Sequence, residues 1–171
     1  AIELTITRAR LTGKVNDATR TYGQQNPSFS MEFYGLKNGD LSPGWTTPPT
    51  FKTQANKYSD VGQYSVSAVG GIARNYEIKE VTAGTLTVTP AQLTISANNA
   101  TRQYYNNNPE FSYTCKGFVN DDSENVLSPK PSLTTTATRT SNTGTYKINV
   151  GATSSPNYSI STINGTLTIT P

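Results

Sequence analysis

Gly84-Thr85-Leu86-Thr87-Val88-Thr89-Pro90 and Gly165-Thr166-Leu167-Thr168-Ile169-Thr170-Pro171 differ by one conservative exchange and lie 81 residues apart. In both, apolar residues alternate with threonine, the period-2 pattern of a strand with one face toward a core. Working back from these strands, Tyr22, Asn26, Pro27 and Phe29 recur as Tyr104, Asn108, Pro109 and Phe111, at a shift of 82. At that shift Gly35, Gly62, Tyr64, Val66, Asn75, Tyr76 and Ile78 match Gly117, Gly144, Tyr146, Ile148, Asn157, Tyr158 and Ile160. Core-type and turn-type residues that recur together at one period mark an array of structural units. Two units of about 80 residues follow, at 9–90 and 91–171. Leu4-Thr5-Ile6-Thr7 aligns with Leu86-Thr87-Val88-Thr89. Residues 1–8 therefore read as the terminal strand of a preceding repeat, or as an N-terminal strand.

The composition suits that reading. Charged residues make up 15% of the 171 and threonine supplies 28, below the usual charged quarter and favourable to strands. A net charge of +3 without any Lys/Arg run gives no reason to expect nucleic acid or an anionic membrane as partner. No apolar stretch reaches the length of a spanning helix, so no membrane insertion is expected in this segment. The one cysteine, Cys115, alternates with Phe111 and Tyr113 and reads as a small buried hydrophobe.

Alternation predicts strands at Leu11–Val15, Ser28–Gly35, Thr50–Gln54, Gln63–Val69, Asn75–Val81 and Thr85–Thr89. The second copy gives Leu93–Ala97, Glu110–Gly117, Ser132–Arg139, Thr145–Gly151, Asn157–Ile163 and Thr166–Thr170. Asn164-Gly165 between two alternating runs predicts a type I′ hairpin, which needs positive φ at both residues. The first copy has one more residue there, Thr82-Ala83-Gly84, implying a longer turn or a bulge. Asp122–Leu127 carries a helix-start signal and a following proline. Thr89-Pro90-Ala91-Gln92-Leu93 is short and stiff, so the expected fold is mainly β. It consists of two small antiparallel domains end to end, each an immunoglobulin-like sandwich or a β-grasp-like sheet.

Leu93-Thr94-Ile95, Ala100-Thr101-Arg102-Gln103-Tyr104 and Asn108-Pro109-Glu110-Phe111, taken in order, resemble the tandem MBG repeats of bacterial surface proteins. Gly117-Phe118-Val119-Asn120-Asp121-Asp122, Gly144-Thr145-Tyr146, Asn157-Tyr158 and Asn164–Ile169 continue the resemblance. Tyr22-Gly23 looks like that family's Tyr-Gly motif, whereas Tyr104-Tyr105, Trp45 and Pro48-Pro49 depart from it. The resemblance implies extracellular, mainly-β modules of adhesin-like proteins, and it names no ligand.

The chemistry-bearing residues point away from catalysis. There is no histidine, and of eleven carboxylates only Asp40 and Asp122 align between the copies. No triad, histidine metal site or pair of facing acids is singled out. No catalytic, cofactor or metal residue is assigned, no cofactor is expected, and the ligand-binding residues are unknown. Asn38-Gly39-Asp40 and Asn120-Asp121-Asp122 weigh as Asx-type turns against a weak calcium loop. The Thr-x-Thr runs supply one strand per repeat, so no two-dimensional threonine face follows. Sequons at Asn99, Asn157 and Asn164 count for little if the source is bacterial. Tyr64, Tyr146, Tyr76 and Tyr158 read as core or corner residues, and Trp45, Tyr34, Tyr104 and Tyr105 as exposed contacts.

The leading expectation is a non-enzymatic, extracellular stalk module of a cell-surface adhesin, whose partners are neighbouring repeats and a host or environmental glycan or protein. The alternatives are a glycan-binding accessory module, and a filament subunit that exchanges the strand Ile2-Leu4-Ile6.

Overall fold

The structure is a computed structural model of residues 1–171. It contains two compact units, Ala1–Thr89 and Pro90–Pro171. The first has strands β1 (Ala9–Val15), β2 (Ala18–Thr21), β3 (Met31–Tyr34), β4 (Trp45–Thr47) and β5 (Thr50–Thr53). It continues with β6 (Gly62–Val69), β7 (Ile72–Ala73), β8 (Tyr76–Thr82) and β9 (Gly84–Thr89). The second has β10 (Ala91–Ala97), β11 (Ala100–Gln103), β12 (Tyr113–Lys116), β13 (Leu133–Thr134), β14 (Gly144–Val150), β15 (Tyr158–Ile163) and β16 (Gly165–Thr170).

Each unit is a two-sheet sandwich. In the first, β3-β1-β8 faces β2-β9-β6-β5; in the second, β12-β10-β15 faces β11-β16-β14-β13. The apolar alternation seen in sequence becomes the core: Leu11, Val15, Val66, Leu86 and Val88 are almost wholly buried, as are Leu93, Ile95, Ile148, Leu167 and Ile169. Burying one such leucine stabilises a unit by roughly 1.5–3 kcal/mol. No α-helix lies on either sheet, so the sandwich stands and the β-grasp does not. The helix-start signal at 122–127 yields a single 3-10 turn, Glu124–Val126, with the Ser123 side chain accepting from Asn125 N. In the first unit a two-stranded pair, β4 and β7, adds Trp45 to a cluster of Leu11, Ala73 and Tyr76.

Two expectations are corrected by the strand pairing. The domains are not wholly antiparallel: β1 runs parallel to β8, and β2 parallel to β9. The same holds for β10 with β15 and β11 with β16. The first and last segments of each unit thus form a two-stranded parallel ribbon that leaves one sheet and enters the other. Accordingly Asn164-Gly165 is no hairpin. β15 belongs to the sheet of β10 and β16 to the sheet of β14, and neither residue has positive φ.

The glycine is there for a nonlocal reason. A Cβ on Gly165 would stand 2.7 Å from Ala97 O and 2.9 Å from Asn98 O; on Gly84 it would meet Val15 O at 2.6 Å. Strands that change sheets do so at bends, and glycine marks the point where two backbones close up. The corner is pinned by Asp17 Oδ1, which accepts from Thr85 N at 2.9 Å, and by Asn99 Oδ1, which accepts from Thr166 N at 2.9 Å. The extra residue of the first copy is a bulge: Leu11 pairs with Ile78 and Thr12 with Glu80, stepping over Lys79. No such step interrupts β10 and β15.

Residues 1–8 form no strand, and Ile2, Leu4 and Ile6 are exposed. A strand needs a neighbour to satisfy its backbone, and none pairs with this segment. The strand expected at Ser132–Arg139 shrinks to Leu133–Thr134, since β14 offers only Val150 and Asn149 as partners there. β2 and β11, both short and polar, were not expected.

Candidate functional site

The recurrent polar residues assemble into two networks in each unit. The first centres on an arginine. Arg20, 5% exposed, lies in β2, and Arg102, 7% exposed, lies in β11. Arg102 Nε donates to Asn108 Oδ1 at 2.7 Å, and its two terminal nitrogens donate to Gln103 O at 3.1 Å and Thr138 O at 2.6 Å. Asn108 Nδ2 then donates to Ala137 O at 2.8 Å. Arg20 repeats the pattern with Asn26 Oδ1 at 2.8 Å, Thr21 O and Asn56 O, while Asn26 donates to Ala55 O at 2.8 Å.

A buried guanidinium must satisfy its five donors. Here carbonyl and amide oxygens accept from Nε and from both terminal nitrogens, three of the five, and burial draws the Arg20 pKa below the usual arginine range. The network ties the last turn of the ribbon to the loop ahead of β6 or β14. Sequence reasoning missed these arginines. They recur at the shift of 82 like the rest, but a charged residue in a polar strand reads as solvent-facing.

The second network gives the two aligned carboxylates their role. Tyr76 donates its hydroxyl proton to Asp40 Oδ2 at 2.5 Å, and Lys37 N donates to the same hydroxyl at 2.9 Å. Tyr158 repeats this with Asp122 Oδ2 at 2.6 Å and Val119 N at 3.0 Å. The bond to Asp40 raises the Tyr76 pKa above the ordinary tyrosine value. The loops are type I′ turns, with positive φ at Asn38 and Gly39 and at Asn120 and Asp121. They close through Asp40 N to Lys37 O and Asp122 N to Val119 O, each 3.0 Å. The segments expected as Asx-type turns, 38–40 and 120–122, are thus turns of this kind, whereas the I′ turn expected at Asn164-Gly165 does not form. Tyr64 and Tyr146 act as corner residues, donating to the carbonyls of Asp60 at 2.8 Å and Asn142 at 2.9 Å.

Of the aromatics expected as exposed contacts, Trp45 is placed otherwise. It is half-buried and meets Phe33 edge-on, with ring centroids 5.3 Å apart, because β4 folds it over the first unit's core. Tyr34 is exposed and donates to Glu32 Oε2 at 3.1 Å. Tyr104 and Tyr105 are about half exposed, with ring centroids 6.0 Å apart. Tyr105 adopts φ 71, a conformation uncommon for a bulky residue. Arg139 lies over its ring at 4.2 Å and donates from Nε to its carbonyl at 2.9 Å.

Cys115 is partly buried, short of the full burial expected, and burial raises its thiol pKa. It sits on β12, an edge strand of its sheet. Asn99 serves the corner bond described above, and Asn164 Oδ1 accepts from Val150 N at 3.3 Å. Thr89 and Thr170 hydroxyls donate to the carbonyls of Arg20 and Arg102. No group of three or more His, Cys, Asp or Glu side chains lies together, and no helix is long and apolar enough to cross a membrane.

Among solved structures the chain is similar to a crystallised tandem segment of titin, at 15% identity and a TM-score of 0.27. That match covers 92% of this chain and 64% of the crystallised titin segment, less than two thirds of the segment's length. No curated protein matches. The family profile of the MBG domain (YGX type) matches twice, over residues 11–87 and 93–168, one match within each sandwich. The chain belongs to the MBG domain family and carries two copies of that domain in tandem.

Proposed function

We propose that these two domains are non-enzymatic stalk modules of an extracellular bacterial surface adhesin, spacing or presenting a binding domain carried elsewhere on the protein. The observation that supports the reading is what the two copies share. Arg20 and Arg102, Asn26 and Asn108, Tyr76 and Tyr158, and Asp40 and Asp122 all bond inward. The outward residues drift between copies, as when Glu32 becomes Thr114 or Glu77 becomes Ser159. Residues kept for architecture, with surfaces left to vary, suit a repeated spacer better than a repeated active site. Neighbouring repeats are its structural partners. Small-angle scattering of the chain tests the reading: a stalk gives an extended two-domain particle, and a compact globular profile overturns it.

A second reading rests on Tyr104, Tyr105 and Arg139 as a contact surface for a glycan. An amphipathic ring pair with an adjacent guanidinium offers both stacking and hydrogen bonding. Glycan-array binding that disappears in Tyr105→Ala supports it, and a blank array removes it.

A further inference from the structure

We infer that each unit is a tension clamp, in which the parallel ribbon of its first and last strands carries a pulling force in shear. This deepens the stalk reading and rests on it only for the use to which the clamp is put. Ala9, where β1 begins, is in register with Tyr76, where β8 begins; Thr21, where β2 ends, is in register with Thr89, where β9 ends. The chain therefore enters the unit at one end of the ribbon and leaves it at the other. A force on the two ends drives β1–β2 and β8–β9 past each other along their length.

In that geometry the hydrogen-bonded pairs share the load. Six register pairs link β1 to β8 and four link β2 to β9. The second unit has the same numbers between β10 and β15 and between β11 and β16. If the strands were instead pulled apart from one end, the pairs would break one at a time.

Sliding is opposed by more than the ladder. Leu11 and Val15 on one side of the ribbon, and Leu86 and Val88 on the other, are almost fully buried. A slip of one residue turns every such side chain to the wrong face. The bonds from Thr85 N to Asp17 Oδ1 and from Tyr22 N to Thr89 O lock the bend and the far end. Pro90 alone separates β9 from β10 along the chain.

Single-molecule pulling on the whole two-unit chain tests the clamp. Arg8→Cys and Arg74→Cys, with Cys115→Ser, place handles at the start of β1 and of β8, so pulling between them peels the first unit's ribbon open. Pulling the same protein by its termini loads both ribbons in shear. Because one folded protein serves both geometries, a loss of stability from the substitutions cancels. Forced unfolding reads the barrier along the pulling direction. Both terminal-pull ruptures are expected at a higher force than the peel at equal loading rate, because the evenly spaced bonds of a parallel ladder are loaded together in shear and one after another in the peel. Equal forces, or a terminal-pull rupture below the peel, overturn the clamp. A compact scattering profile with the force difference intact removes only the stalk reading, and an extended particle with equal forces removes only the clamp.

Discussion

The turn after β2 and the turn after β11 share a backbone and differ in sequence. In the first, Gly23 takes φ 88; in the second, Tyr105 takes φ 71 at the equivalent position. Both are closed by the same bonds, Tyr22 N to Thr89 O and Gln24 N to Thr21 O against Tyr104 N to Thr170 O and Asn106 N to Gln103 O. Local preference therefore does not set this turn. The ribbon end and the buried arginine beside it set it, and the residue must comply. Glycine complies freely, whereas a bulky L-residue in the left-handed region costs about 1–2 kcal/mol. Arg139 offsets part of that cost through its contact with the Tyr105 ring and carbonyl.

The sharpest way to break the comparison is to remove the arginine that both turns depend on. Arg102→Ala leaves Asn108 Oδ1, Gln103 O and Thr138 O without their donor. A loss of about 3 kcal/mol or more is expected in the second unit. Arg20→Ala should do the same to the first. Urea denaturation of the two-unit chain checks this, and a loss below 1 kcal/mol in both would make the networks ornamental.

Gly165→Ala and Gly84→Ala come next, at roughly 1–3 kcal/mol each, because the added methyl meets backbone carbonyls that cannot swing aside. If Gly165 served a local type I′ turn instead, Asn at that position would be tolerated; the sheet crossing predicts that Gly165→Asn is as damaging as alanine.

Smaller effects probe the turn itself. Gly23→Ala should cost about 1 kcal/mol. Tyr105→Gly should gain less than that in the native chain, because the Arg139 contact is lost with the ring, and more in an Arg139→Ala background. A destabilised Tyr105→Gly in that background would show that the tyrosine is not strained.

The smallest expected effect concerns pH. Tyr113 donates to Glu124 Oε2 at 2.8 Å, and chiefly that bond pushes its pKa up to about 12. A raised pKa in the folded state means the bond's contribution is complete below pH 10 and disappears as pH rises through 12. Compared with Tyr113→Phe, the chain should hold a small advantage, under about 1 kcal/mol for so exposed a pair. That advantage should vanish between pH 10 and 12. An advantage unchanged across that interval would assign it to packing.

Much of the fold was legible because alternation maps directly onto burial. Leu86, Val88, Leu167 and Ile169 are fully inside. The repeat also pointed to the family. What escaped was nonlocal. Asn164-Gly165 carries the sequence of a hairpin, yet its glycine answers to Ala97, nearly seventy positions earlier in the chain. Ala18-Thr19-Arg20-Thr21 reads as a polar surface segment because an arginine's burial depends on acceptors at Asn26 and Asn56. Trp45 looked like a surface aromatic because its cover over Phe33 comes from the pairing of β4 with β7, where it sits opposite Ala73. At the candidate sites, recurrence located Asp40 and Asp122, but only the folded chain supplies the tyrosine hydroxyls they accept from.

The last strand of each unit is an inner strand: β9 lies between β2 and β6, and β16 between β11 and β14. Terminal segments of domains usually fray and tolerate trimming. In this fold the final six residues are a keystone. A protease that clips before Gly165 strips the ladder partner from both β11 and β14 at once. It also takes away the Thr170 contacts that hold Tyr104 and the Arg102 carbonyl. Such a module survives whole or not at all, so wear on an array of them would be counted in complete domains.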